Sequence, residues 1–152
     1  MHGRKNDCGG GEILSKVKFK IWDKTRNKWL TSNCGEFLLT QEGNAVFHMN
    51  GDNPLEALIE QIDYEVLLYT GLKDRNAKEI YEGYIVECKC GNTGKTILRQ
   101  VEYIGVSFCT KNGSFYNQKT KQREYSYVPL KPYVKVVGNI YENPELLEGD
   151  SQ

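Results

Sequence analysis

The chain has 152 residues, 39% of them hydrophobic and 26% charged, enough for one compact domain or two small lobes that need neither disulfides nor metal to fold. Twenty Lys and Arg balance twenty Asp and Glu, so the total charge gives no strongly basic footprint. No apolar run approaches the roughly 18 residues of a membrane span, and Met1–Gly11 lacks the apolar core of a signal peptide; the expectation is a soluble, cytoplasmic protein without a membrane partner.

Residues 1–15 contain Gly9-Gly10-Gly11 and little apolar content, which predicts a disordered arm. From Lys16 the pattern alternates, with Val17, Phe19 and Ile21 apolar and Lys16, Lys18 and Lys20 polar, as in a half-buried strand. A polar turn over 23–28 and Trp29-Leu30 complete a hairpin. Phe37–Thr40 and Ala45–His48 flank Gln41-Glu42-Gly43-Asn44 and predict a second one. Asn53 then offers an N-cap, Pro54 a first helical residue, and Leu55, Leu58, Ile59 and Ile62 an apolar stripe, which predicts a short helix over 54–62. Phe19, Ile21 and Trp22 are expected to pack on that stripe. Further strands are predicted at 64–70, 85–90, 97–103, 106–110, 125–130 and 133–141, rich in Val, Ile and Tyr. Their close spacing suggests a small barrel. Glu145–Leu147 can form one helical turn before a polar tail at 148–152.

Little in the chain suggests chemistry. Cys8, Cys34, Cys88, Cys90 and Cys109 are odd in number and irregular in spacing, as expected of reduced thiols. Cys88-Lys89-Cys90 with Cys109 is a poor zinc set, since the pair is separated by one residue and His2 and His48 stand alone. Gly91-Asn92-Thr93-Gly94-Lys95-Thr96 imitates a phosphate loop, yet position 89 is lysine and the residues after Thr96 read as a strand. No base stands out beside a Ser or Cys nucleophile. The expectation is a protein without enzymatic activity, metal or cofactor.

Three segments carry a family resemblance. Lys18-Phe19-Lys20-Ile21-Trp22-Asp23 is similar to K-F-[KR]-x-W-D. Residues 69–86, Tyr-Thr-Gly-Leu-Lys-Asp-Arg-Asn-Ala-Lys-Glu-Ile-Tyr-Glu-Gly-Tyr-Ile-Val, resemble Y-T-G-L-K-D-K-N-G-K-E-I-Y-E-G-D-I-V. Residues 137–147, Val-Gly-Asn-Ile-Tyr-Glu-Asn-Pro-Glu-Leu-Leu, are similar to V-I-G-N-I-Y-E-N-P-E-L-L. In this order they resemble the YopX family of phage and prophage proteins. The resemblance implies a small N-terminal α+β lobe, placed at 16–66, followed by an SH3-like β-barrel at 67–147, hence a mainly β member of the α+β class. It also implies a phage-type accessory protein in a bacterial host, and no activity. Two positions depart from the pattern: Tyr84 stands for an aspartate and Ala77 for a glycine. Because Ala tolerates a positive φ poorly, Ala77 argues against an obligatory positive φ there. Most of the middle motif reads as turn chemistry, with Asp74 and Asn76 bonding nearby backbone.

Charge is more informative than catalytic chemistry. Lys16, Lys18, Lys20, Lys24, Arg26 and Lys28 are opposed locally only by Asp23, whereas 36–66 holds seven acids and no Lys or Arg. Either the two blocks screen one another within a chain or they join chains into a homo-oligomer. Lys119, Lys121 and Arg123 lie among Tyr116, Tyr125 and Tyr127. The expected function is therefore binding of a host or phage protein and self-association, with Lys24, Arg26, Lys28, Lys119, Lys121, Arg123, Tyr125 and Tyr127 as interaction surface. The alternative is nucleic-acid binding through a basic, aromatic loop over 116–127.

Overall fold

The computed structural model describes residues 17–33, 35–49, 56–58, 62–89 and 93–148. They are almost wholly β. Strand β1 (Phe19–Asp23) turns into β2 (Lys28–Trp29), with Trp22 opposite Trp29. Asp23 Oδ1 closes this turn by accepting the Arg26 N–H at 2.9 Å. On its other side β1 pairs antiparallel with β6 (Tyr64–Lys73), and β6 pairs with β7 (Glu79–Tyr81), giving the order β2-β1-β6-β7. Strand β6 runs without a break through the 66/67 position where the sequence suggested a lobe boundary.

A three-stranded sheet contains β3 (Gly35–Leu39), β4 (Ala45–Met49) and β5 (Glu56–Leu58). The first two form the expected second hairpin. The third is a correction. Where the sequence predicts helix 54–62, Glu56–Leu58 extend and pair with β4, Val46 opposite Leu58. A nine-residue apolar stripe is too short to hold a helix by itself, and the open backbone edge of β4 offers a ladder instead. Positions 54, 55 and 59–61 and the side chain of Leu58 lie outside the described residues, so of the stripe expected to meet Phe19, Ile21 and Trp22 only Ile62, half-buried, is described.

The C-terminal sheet has the order β11-β10-β9-β8-β12, built from β8 (Tyr84–Lys89), β9 (Thr96–Ile104), β10 (Ser107–Asn117), β11 (Gln122–Pro129) and β12 (Lys135–Asn139). Lys89 pairs with Thr96, so strand β9 stands where a nucleotide site would need a helix, while residues 90–92 lie outside the described residues. A final turn of helix, α1 (Glu145–Glu148), is the sole helix among the described residues. None is long and apolar enough to cross a membrane.

Trp22, Leu67, Ile80, Tyr84, Val86, Val101, Leu130 and Val136 share one buried cluster, so the first sheet and the C-terminal sheet close on a common core. Trp22 stacks on Tyr141 at 5.4 Å and meets Trp29 edge-on at 4.9 Å. Ala77 overturns the expectation drawn from it, because it sits at φ +63°. The turn is held by Asp74, whose Oδ1 accepts N–H groups from Asn76 and Lys78 at 2.8 and 2.9 Å. Those bonds impose the left-handed conformation whether or not the residue favours it.

Candidate functional site

Strands β10 and β11 extend well beyond their sheet neighbours as a two-stranded arm. Its tip is a tight turn, a further correction, since the sequence suggested a loop over 116–127. Asn117 makes the turn: its Oδ1 accepts the Lys119 N–H at 2.9 Å, and its carbonyl accepts the Lys121 N–H at 2.9 Å. Lys121 takes up φ +58° to close it. Paired strands therefore run to Asn117 and resume at Gln122.

Pairing sorts the side chains. Residues directly opposite on neighbouring strands share a face, and successive residues alternate. Tyr116 opposes Arg123, Ser114 opposes Tyr125 and Lys111 opposes Tyr127, so Tyr116, Arg123, Tyr125, Lys111 and Tyr127 share one face. These cross-strand rungs repeat every ~7 Å along the arm. The Lys111 ammonium lies 3.7 Å from the Tyr125 ring centre, a cation–π contact. At the base of the face, Glu102 accepts from Tyr127 Oη at 3.2 Å and stands 3.8 Å from Lys111 Nζ. Burial first, then the charge of Glu102, pushes the Tyr127 hydroxyl pKa up, so it remains a neutral donor. Tyr116 is 57% exposed and Tyr125 46% exposed, unusual for aromatics on paired strands.

The surrounding charge is one-sided. Residues 89–135 contain nine cations (Lys89, Lys95, Arg99, Lys111, Lys119, Lys121, Arg123, Lys131, Lys135) against two acids, Glu102 and Glu124, a net of seven positive charges. Of the nine, only Lys111 is ion-paired among the described residues. All the exposed large aromatics among the described residues (Tyr103, Phe115, Tyr116, Tyr125, Tyr133) fall in this same stretch. A window of charge taken over 89–135 would have shown it; the neutral total conceals it.

The other expected surface behaves differently. Lys24 Nζ meets Glu65 at 2.6 Å and Asp63 at 3.7 Å in its own chain, and Arg26 Nη1 lies 3.7 Å from Asp23. Lys28 pairs across the strand with Asp23. Basic and acidic blocks thus meet within one chain at this turn, while Arg123, Tyr125 and Tyr127 gather on the arm and Lys119 and Lys121 sit at its tip. Of the cysteines, Cys88 and Cys109 are described, both free. Burial pushes the Cys88 thiol pKa up, away from the reactive thiolate.

A profile of the YopX protein family matches residues 18–148. The chain belongs to the YopX family. Protein EF1440 from Enterococcus faecalis has a similar structure, at 22% identity and TM-score 0.51, covering 86% of this chain and 97% of that one. Protein yopX from Bacillus subtilis is similar at 18% identity and TM-score 0.52, covering 85% and 96%. No curated protein matches. At these identities the likeness concerns the YopX fold. The three YopX-like segments at 18–23, 69–86 and 137–147 supply turns and core, whereas the basic arm lies between them in sequence.

Proposed function

We propose that this member of the YopX family is a non-enzymatic accessory protein that binds single-stranded nucleic acid along the outer face of the β10–β11 arm. The observation that carries this reading is the row Tyr116, Arg123, Tyr125, Lys111 and Tyr127 in a stretch with seven net positive charges. Exposed rings accept any base by stacking, while Arg and Lys follow the phosphates. The curled five-stranded sheet, with β12 returning beside β8, supports reading this part as a small barrel of SH3 type carrying the arm.

Fluorescence anisotropy of a labelled oligothymidylate tests the proposal across a salt series. If Lys111, Lys119, Lys121 and Arg123 meet phosphates, log affinity should fall against log salt with a slope of about −3. Tyr116→Ala with Arg123→Ala should weaken binding at least about tenfold, at ~1–3 kcal/mol for each lost stack. A flat salt response, or equal binding by the double variant, would refute it.

A second reading, association with another protein or a second copy, is favoured by β11 standing at the edge of its sheet with backbone groups open to strand addition. Light scattering separates the two: this association persists in high salt without oligonucleotide. The charge-driven route has less support, because Lys24 is already neutralised by Asp63 and Glu65.

A further inference from the structure

A second concentration of charge lies on the opposite face of the C-terminal sheet. A cleft of about 570 Å³ is lined there by Arg75, Lys89, Arg99, Asn112, Lys131 and Tyr133. Its size falls in the usual range of small-molecule sites, about 300–1,000 Å³. Glu87 is the one carboxylate in its lining and is held by Arg75 Nη2 at 2.8 Å. Four cations against one acid leave three net positive charges around one concavity.

Arg99 is the group with unfinished bonding. It stands opposite Val86 on β9, and its Nη2 donates to Asn112 Oδ1. Asn112 occupies the irregularity between Lys111 and Gly113, where the register of β10 shifts; such a bulge re-aims a side chain. The Arg99 Nε is buried and has no hydrogen-bond partner. Buried charged donors are costly to leave unmet. A guanidinium tethered through one terminal nitrogen can turn its Nε edge to an oxygen in the cleft, making the two-pronged contact that phosphates favour. Tyr133, 83% exposed, offers a ring face at the rim, and Lys89 and Lys131 are both exposed.

We propose that this cleft binds a nucleoside phosphate monoester, with Arg99 on the phosphate, Lys89 and Lys131 flanking it and the base on Tyr133. A monoester suits the cleft better than an internal diester, because near neutral pH it carries close to two negative charges rather than one. The group can come from a free nucleotide or from the phosphorylated end of a strand. The site is separate from the arm and stands or falls without it.

Calorimetric titration with thymidine 5′-monophosphate, thymidine and inorganic phosphate tests the site directly. The monophosphate should bind at least about tenfold more tightly than either fragment, since each keeps only half of the contacts. Arg99→Met should weaken it about tenfold or more, and Lys131→Ala, an exposed change that spares the fold, severalfold. Arg123→Ala on the arm should leave it unchanged. No binding of the monophosphate at millimolar concentration, or undiminished binding by folded Arg99→Met and Lys131→Ala proteins, overturns the proposal. Oligothymidylates with and without a 5′-phosphate then identify the source. A preference for the phosphorylated strand that disappears in Arg99→Met assigns the strand end, and equal binding of the two strands assigns the free nucleotide. If neither oligonucleotide binds while the monophosphate does, the arm reading fails and the cleft stands.

Discussion

Asp74 Oδ2 accepts the backbone N–H of Val136 at 2.8 Å, across 62 residues of chain. The same carboxylate holds the turn after β6 through Asn76 and Lys78, so one side chain ties that turn to β12. Burial acts to raise its pKa, but the N–H groups of Val136, Lys78 and Asn76 outweigh it and keep the value below the ordinary aspartate range. The anion is therefore the stabilising form, present in full above the unfolded pKa near ~4 and lost as pH falls through the depressed native value. Asp74→Ala should cost roughly 2–4 kcal/mol at pH 7. Urea denaturation from pH 7 down to pH 2 should show the gap to wild type shrinking in acid, and a constant gap would contradict this role.

Ala77 carries φ +63° where a glycine would sit without strain. A left-handed conformation costs an L-residue roughly 1–2 kcal/mol. Ala77→Gly should accordingly stabilise the protein by about 0.5–1 kcal/mol after the larger backbone entropy of glycine in the unfolded chain is subtracted. A rise in melting temperature of about 2–3 °C is the expected reading, and a fall would show that the turn tolerates Ala without strain.

Gly83 has φ +74°, and a Cβ there would come within 3.3 Å of Leu67 Cδ2 and 3.4 Å of Tyr141 Cε2. Its N–H also donates to Val101 and its carbonyl accepts from Ile140, which leaves the backbone little room to move. Gly83→Ala should cost about 2–3 kcal/mol, combining backbone strain with overpacking. Chemical denaturation measures this, and a loss under about 0.5 kcal/mol would be inconsistent with so tight a site.

Lys20 is surrounded by rings, its ammonium 4.7 Å from the centre of Tyr81 and 5.4 Å from those of Trp29 and Tyr84. It also donates to Tyr84 Oη at 2.7 Å, so the tyrosine that stands where the family pattern has an aspartate gives this cation a hydroxyl acceptor. Lys20→Met keeps the aliphatic contacts and deletes the charge. A loss of about 1–2 kcal/mol is expected. The double change with Tyr84→Phe should cost less than the sum of the single ones, because both remove the same bond.

What local chemistry dictates was legible. The alternation at 16–21 predicted β1, the Gln41–Asn44 turn predicted the β3–β4 hairpin, and Asp74 bonds nearby backbone in the turn after β6. Where short-range signals compete with distant ones, the sequence misled. The stripe at 54–62 follows a helical period, yet Glu56–Leu58 were captured by the edge of β4. Ala77 opposes a positive φ, yet three backbone bonds to Asp74 and the closure of β6 on β7 impose it.

The candidate sites divide along the same line. Residue identities alone grouped Lys119, Lys121 and Arg123 with Tyr116, Tyr125 and Tyr127 as a basic, aromatic loop, and only the strand pairing puts Arg123, Tyr125 and Tyr127 on one face. Which other residues join them depends on register. Lys111 reaches Tyr125 only because β10 slips between Lys111 and Gly113, and that slip also brings Asn112 to Arg99. Lys24 likewise meets Glu65 only because β1 lies against β6. Local propensity and family pattern act over a few residues and so settled most strands and turns and the membership; pairing between strands far apart in sequence decided which charges are cancelled within the chain and which remain open on its surface.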